Sequence, residues 1–274
     1  MTVALAAAPP RAHRPDGITM TGAILVAVWV IVGIVIVWAL ARSVSGERLA
    51  DYGGRIFGGF LTTLRLVVVS VGIGAVISVP VAAGRLSKNR IVGAIAYAYS
   101  YFFRSTPLIA QLFLIYYGAG EFAGGLKAIG LWWFFRDAFN CAAFSFALNT
   151  AAYQSEILSG AIRNVSHGQR EAAAALGLHP FVILRRIVLP QALIVALRPY
   201  GNEVILMIKA SAIASIVTVL DLMGETRFIF SKTYDLSFYL WAAVFYLVLV
   251  EALGRVVNAI ERRITRHIRP AARH

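Results

Sequence analysis

Ser166-His167-Gly168-Gln169-Arg170-Glu171-Ala172-Ala173-Ala174-Ala175-Leu176-Gly177-Leu178-His179-Pro180, closed by Ile187-Val188-Leu189-Pro190, lies between two long apolar segments. Its chemistry describes two short helices joined by a tight turn. Ser166, with Gln169 three residues later, fits a capping box. Glu171 then falls in the first turn, where a carboxylate suits the positive end of the helix dipole. The alanines propagate the helix, and their small side chains let another surface come close. Gly177 is placed to end the helix in the left-handed conformation, and Pro180 suits the first turn of a second helix. An ordinary linker would account for Glu-Ala-Ala alone. The full spacing through Pro190 favours a coupling loop over that linker, which stays the alternative.

Outward from this stretch, the composition fixes the class of molecule. Of 274 residues, 59% are hydrophobic and only 14% charged, and the mean hydropathy is +0.74. A soluble domain carries about a quarter charged residues, so the chain reads as an all-α integral membrane protein. Its one cysteine, Cys141, excludes an internal disulfide and reads as an apolar filler. The net charge of +13 could suggest nucleic acid. The cations form no single patch, however. They fall between the apolar segments, as the positive-inside rule arranges them.

Six apolar segments are expected to cross the membrane. Thr21 to Ala41 is a charge-free run, long enough for the roughly 30 Å of hydrocarbon. A signal peptide is its rival reading, since Ala39-Leu40-Ala41 resembles a cleavage site, but the run exceeds the usual signal core of about 7–15 residues. The others are 56–83, 91–118, 131–162, 190–220 and 236–260. With the amino terminus inside, the inner side holds Arg11, Arg14, Arg85, Lys88, Arg90, Arg163, Arg170, Arg185, Arg186, Arg262, Arg263, Arg266, Arg269 and Arg273. The outer side holds Arg42, Arg48, Arg55, Lys127, Arg136, Arg227 and Lys232. Fourteen cations against seven place both termini and the 166–190 loop in the cytoplasm.

Charges also interrupt the apolar segments: Arg65, Arg104, Glu156, Arg198, Glu203, Lys209, Glu251 and Arg255. Each costs roughly 3 kcal/mol at a helix centre, so each is either paired or functional. Glu251 and Arg255 are four apart on one helix face and should pair. Arg198 and Glu156 lie near cytoplasmic ends, where snorkelling or a local pair suffices. Lys209, with Ser211 and Ser215, gives the fifth segment a polar stripe. Arg104-Ser105-Thr106-Pro107 breaks the third, because proline disfavours helix at Thr106 and frees a carbonyl upstream. Irregular backbone at this depth needs protein or a water-filled cavity around it. A proline kink packed on its neighbours and a solute pathway are both open. No phosphate-binding Gly-x-x-x-x-Gly-Lys-Ser/Thr, no His-Glu-x-x-His and no Gly-x-Ser-x-Gly occurs, so the enzyme signatures are missing. The five scattered histidines imply no metal site.

The 166–190 stretch resembles the EAA loop of the membrane subunits of ABC importers. Further stretches are similar to the polar-amino-acid branch, the histidine/arginine/glutamine or opine type. These are Phe103-Arg104-Ser105-Thr106-Pro107-Leu108 with Gln111-Leu112-Phe113; Leu148-Asn149-Thr150-Ala151-Ala152-Tyr153 with Glu156-Ile157; and Pro199-Tyr200-Gly201-Asn202-Glu203 with Lys209-Ala210-Ser211. Ser105, Ala210 and Ser159 depart mildly from the residues such permeases usually carry there.

The resemblance implies a five-helix importer core over 56–265, a peripheral first helix at 21–42, and cytoplasmic tails at 1–20 and 266–274. It implies alternating access, with two permease subunits forming the pathway and a periplasmic or surface binding protein delivering an amino acid. A separate ATPase dimer would carry the ATP and Mg²⁺, so no cofactor is expected on this chain. Glu171, Ala172, Ala173, Gly177 and Leu178 would couple to that ATPase. Arg104, Ser105, Thr106, Asn149, Tyr153, Glu156, Glu203, Lys209 and Ser211 would line the pathway. The expected cargo is a basic amino acid or an opine, with glutamine, glutamate or another small polar solute as the alternative. An ion-channel subunit or an intramembrane enzyme is the competing class.

Overall fold

The computed structural model describes residues 19–43 and 46–265, and the side chains of 43–49 and 265 lie outside the description. Arg11, Arg14, Arg266, Arg269, Arg273 and His274, and the side chains of Glu47 and Arg48, therefore fall outside the described residues. Two compact units are present, residues 1–46 and 47–274.

The first unit contributes α1, Met20–Ser43. It is apolar around its whole circumference, with Trp29, Ile31, Ile34 and Val37 exposed, as a helix surrounded by lipid would be.

Among its described residues, the second unit is built of helices joined by short connections. Its elements run α2 (Gly46–Arg85), α3 (Arg90–Ser105), α4 (Leu108–Glu121), α5 (Ala123–Ala128), α6 (Trp132–Phe135) and α7 (Ala138–Asn164). They continue with α8 (His167–Ala175), α9 (Pro180–Ile183), a π turn (Leu184–Val188) and α10 (Leu189–Ser211). A 3₁₀ turn (Ala212–Val217), α11 (Leu222–Thr233) and α12 (Ser237–Thr265) complete it.

Among the described residues, four stretches are long and apolar enough to cross a membrane: 20–42, 50–85, 180–217 and 237–264. Two of the expected segments are not among them, and each has a physical reason. The third is split at Pro107 into α3 and α4, each of them too short alone for about 30 Å of hydrocarbon. The fourth, α7, is too polar. Ser145, Asn149, Thr150, Gln154, Ser155 and Ser159 are all buried along it. α7 is the centre of the bundle, packed against α3, α4 and α10, with α2 joined to it through Ser70 and Gln154. A helix sheathed in protein meets partners rather than lipid, so it tolerates polar side chains.

Three apolar clusters hold the unit together. Leu66, Leu112, Phe146, Met207 and Ile208 join α2, α4, α7 and α10. Ala82, Leu158, Ile162, Val165, Ala173, Ile183 and Val188 tie the α8–α9 loop to the ends of α2 and α7. Ile56, Leu222, Ile229, Phe238 and Ala242 seat α11 against α2 and α12.

The fifth segment, expected as one span over 190–220, ends at Ser211 and tightens into the 3₁₀ turn. Thr218 then adopts φ +65°, a left-handed conformation that turns the chain into Asp221. The Asp221 carboxylate accepts the amide of Gly224 at 2.9 Å and caps α11.

Candidate functional site: the loop between α7 and α10 and a polar cluster between helices

The loop forms the helix pair its residues describe, with two corrections. Ser166 is the N-cap of α8 by its extended backbone, but its hydroxyl makes no capping bond. Gln169 does not reach back to it, because its side-chain oxygen accepts from Gln191 Nε2 at 2.6 Å. Glu171 is not in the first turn. The helix starts at His167, so Glu171 is one turn further along, exposed and unpaired among the described residues. The dipole is therefore not what places it.

The turn behaves as expected. Gly177 has φ +77°. Its amide donates to Ala174 at 2.9 Å and that of Leu178 to Ala173 at 3.2 Å, the paired bonds of a Schellman ending. His179 caps α9 through Nδ1, and Pro180 takes the first helical position. Pro190 has no N–H, and its ring crowds the carbonyl four residues back. The chain widens there into the π turn, where Leu189 bonds Leu184.

The loop is mounted firmly and faces outward. Ala173 is buried in the cluster with Val165 and Ile183. The Arg170 guanidinium donates to the carbonyl of Ile162 at the end of α7. Gln169 is tied to Gln191 in α10. On the other side Leu176 is 81% exposed and Phe181 61%, with Glu171, Ala172 and Leu178 on the same open surface. An apolar face beside small residues and one free carboxylate suits a protein partner.

The second constellation centres on the Pro107 break. Thr106 is extended and ends α3. The freed carbonyls are satisfied by side chains. Gln111 Nε2 lies 2.9 Å from Phe103 O, 3.1 Å from Thr106 O and 2.7 Å from Thr106 Oγ1. Asn149 Nδ2 donates to Phe103 O at 2.9 Å and to Gln111 Oε1 at 3.0 Å. The break is thus built into protein, with Thr106 and Asn149 as parts of its frame.

Two turns along α7 from Asn149, Glu156 accepts from two guanidiniums, Arg85 at 2.8 Å and Arg104 at 3.1 Å. Arg104 also lies over the Tyr153 ring, 5.4 Å from its centroid, and the Tyr153 hydroxyl is 3.5 Å from the Arg104 carbonyl. Arg85 is nearly covered, but the Arg104 side chain is 41% exposed and that of Glu156 33%. Two cations on one carboxylate leave a net positive, partly open site. It offers a guanidinium, carboxylate oxygens and a phenol to a polar solute. Ser105 is exposed at its edge.

The remaining expected residues do not join this site. Glu203 is buried and accepts the Thr150 hydroxyl at 2.9 Å, bridging α10 and α7. Lys209 is exposed near the end of α10. Ser211 is fully buried, with its hydroxyl on Ile208 O at 2.7 Å. The stripe expected from Lys209, Ser211 and Ser215 does not form: Lys209 and Ser211, two residues apart, lie on different faces of α10, and the 3₁₀ turn changes the helical period before Ser215. Arg198 pairs with Glu261 at 3.2 Å, and Arg255 with Glu251 at 2.8 Å. Arg65 lies over the Phe139 ring at 4.9 Å. Sequence reasoning left Arg85 among the loop cations and did not assign Gln111 or Thr150 a role. The free carbonyls at a Pro107 break were the signal that a buried amide donor had to be near.

Comparison with known proteins follows the same lines. The family model for the binding-protein-dependent transport system inner membrane component matches residues 70–269. The chain is 48% identical over 209 residues to the nopaline transport system permease protein of Agrobacterium fabrum, covering 76% of this chain and 87% of that one. It is 40% identical over 224 residues to the histidine/lysine/arginine/ornithine transport system permease protein of Escherichia coli, covering 81% and 93%. Against the octopine transport system permease protein of Rhizobium meliloti it is 37% identical, covering 75% and 84%. Among solved structures, an amino acid ABC transporter crystallised with histidines superposes with TM-score 0.70 at 32% identity, over 81% of this chain and 99% of that one.

Proposed function

This chain belongs to the family of binding-protein-dependent transport system inner membrane components, and from that premise we propose that it is the permease subunit of an ATP-driven importer of basic amino acids or opines. The observation that carries the cargo class is the agreement among the relatives. Their names specify nopaline, octopine, or histidine, lysine, arginine and ornithine. The family match sets the channel reading aside.

The working unit is a multi-pass protein of the bacterial inner membrane, with six spans and both termini cytoplasmic. Residues 56–265 form the transport domain and 21–42 a peripheral helix, with tails at 1–20 and 266–274. A second permease subunit completes the pathway, and a binding protein delivers solute from outside. ATP and Mg²⁺ act on a separate ATPase dimer. That dimer receives Glu171, Ala172, Gly177 and Leu178 on the exposed face of α8 and the turn after it, with Ala173 packed beneath them against the bundle. Because α8 is anchored to the end of α7 and the start of α10, a push on the loop is delivered to the two helices that carry Glu156 and Glu203. On the pathway, Arg104 and Tyr153 suit the solute carboxylate and Glu156 suits a cationic side chain. Thr106 and Asn149 frame that surface from behind and Ser105 meets solute at its edge, while Glu203, Lys209 and Ser211 stand apart from it.

The test is uptake by the reconstituted assembly, made with the ATPase, permease and binding protein that co-purify. Arginine or nopaline should be taken up with ATP hydrolysis, and glutamine poorly. Uptake of glutamine with no basic solute carried would overturn the cargo assignment.

A further inference from the structure

An apolar groove of about 340 Å³ opens between the end of α2 and the start of α3, lined by Pro80, Val81, Gly84, Val92, Ile95 and Tyr99. It is distinct from the Arg104–Glu156 site, and nothing in the transport reading uses it. Its floor is fixed by close packing. A side chain at Gly84 would meet Ala96 at 2.9 Å, and the Tyr99 hydroxyl is held by the Leu148 carbonyl at 2.8 Å. Its walls are open, with Ile95 66% exposed and Val92 44%.

The loop end of the groove is cationic. Lys88 and Arg90 flank the turn, exposed and without an ion pair among the described residues. Arg163 reaches the same turn through the Arg85 carbonyl at 2.9 Å. Acids do not balance them. Residues 52–120 contain no Asp or Glu, and the one carboxylate on Arg85, that of Glu156, is already shared with Arg104.

We infer that this groove binds an anionic phospholipid of the inner leaflet. An acyl chain lies along Pro80, Val81, Val92 and Ile95, and the headgroup phosphate sits against Lys88 and Arg90. An acyl chain satisfies the apolar walls, and a phosphate satisfies cations that have no other partner; basic pockets between helices at the cytoplasmic face take such headgroups. A second copy of this chain is the wrong occupant, because it would press the same unpaired cations against themselves. The inference rests on the cytoplasmic placement of the 86–89 turn proposed above.

Native mass spectrometry of the detergent-solubilised assembly, doped with equal phosphatidylglycerol and phosphatidylethanolamine, tests it. The wild-type assembly should retain phosphatidylglycerol preferentially. The K88Q/R90Q double variant should lose that preference by about tenfold. Val92→Trp, which fills the groove from an exposed position, should lose the bound lipid while leaving the assembly mass unchanged. Millimolar inorganic phosphate should not displace it. Equal retention of the two lipids by wild type, or an unchanged preference in either variant, overturns the site. Displacement by inorganic phosphate makes it a plain anion site and overturns the lipid assignment. Loss of a permease subunit in Val92→Trp makes the groove a subunit interface and overturns it likewise. The binding readout uses no transport and no membrane orientation, so it fails independently of the cargo and topology readings.

Discussion

Gly177 shows how one backbone angle sets the surface proposed to meet the ATPase. At φ +77° a β-branched residue is strained by about 1–2 kcal/mol, while asparagine tolerates the conformation. A side chain there meets nothing within 4 Å, so the effect of substitution is conformational and not steric. Gly177→Val should reduce transport and stimulated ATPase activity several-fold while membrane insertion persists, and Gly177→Asn should restore most of both. Equal activity in the valine variant would remove the turn from the coupling mechanism.

Asp221 makes a pH argument at the same scale. Burial pushes its carboxyl up from 3.8 to about 6, against the lowering effect of the donors from Gly224, Met223 and Tyr246. The folded state then holds a proton that the unfolded state releases between about pH 4 and 6. The associated stability is present below pH 4, is lost as pH rises towards 6, and amounts to roughly 3 kcal/mol. Asp221→Asn keeps an acceptor for the α11 cap and has no charge to bury. Its melting temperature in detergent should vary less between pH 4 and 6 than that of wild type, and parallel profiles would refute the assignment.

At the scale of elements, glycines set how closely the helices approach. A Cβ on Gly201 would stand 2.5 Å from Val257 Cγ1 and 3.2 Å from its Cβ. Valine is stiff at χ1, so α10 and α12 would have to separate. Gly201→Leu should cost at least about 1–3 kcal/mol, seen as a lower melting temperature and poorer assembly, whereas Gly54→Leu, at an open position, should not.

The elements themselves were legible to different degrees. Lipid-facing helices such as α1 and α2 are read from apolar length alone. The Pro107 break is read from proline chemistry, and the Gly177 turn from glycine. What was not legible has a physical cause in each case. The 3₁₀ turn after Ser211 is announced by neither Gly nor Pro, and its left-handed residue is Thr218, a residue type rarely found there. The start of α8 depends on where Ser166 turns, and the capping partner Gln169 was drawn off by Gln191, far along the chain. The shared use of Glu156 by Arg85 and Arg104 joins three helices. Such a meeting is invisible to any local pattern, although the cost of an isolated charge at that depth required a partner.

At the scale of the whole molecule, orientation is the property on which the loop and the pathway both depend. The loop can meet an ATPase only from the cytoplasm, and the proposal that it lies there rests on the charge distribution. The chain offers a convenient test. Its single cysteine, Cys141, is fully buried, so the native protein gives little background with an impermeant thiol reagent. Lys127 lies in α5, between α4 and α7, and Leu176 at the end of α8. Both flank α7, a 27-residue helix of about 40 Å, and they should therefore lie on opposite sides. Lys127→Cys should label in intact cells. Leu176→Cys, at 81% exposure, should label only after the membrane is opened, and less once the ATPase is bound. Labelling of both from one side would show that α7 does not cross, and the six-span arrangement would fall. Reversed sidedness would keep the spans but place the loop away from ATP, and the coupling proposal would fall instead.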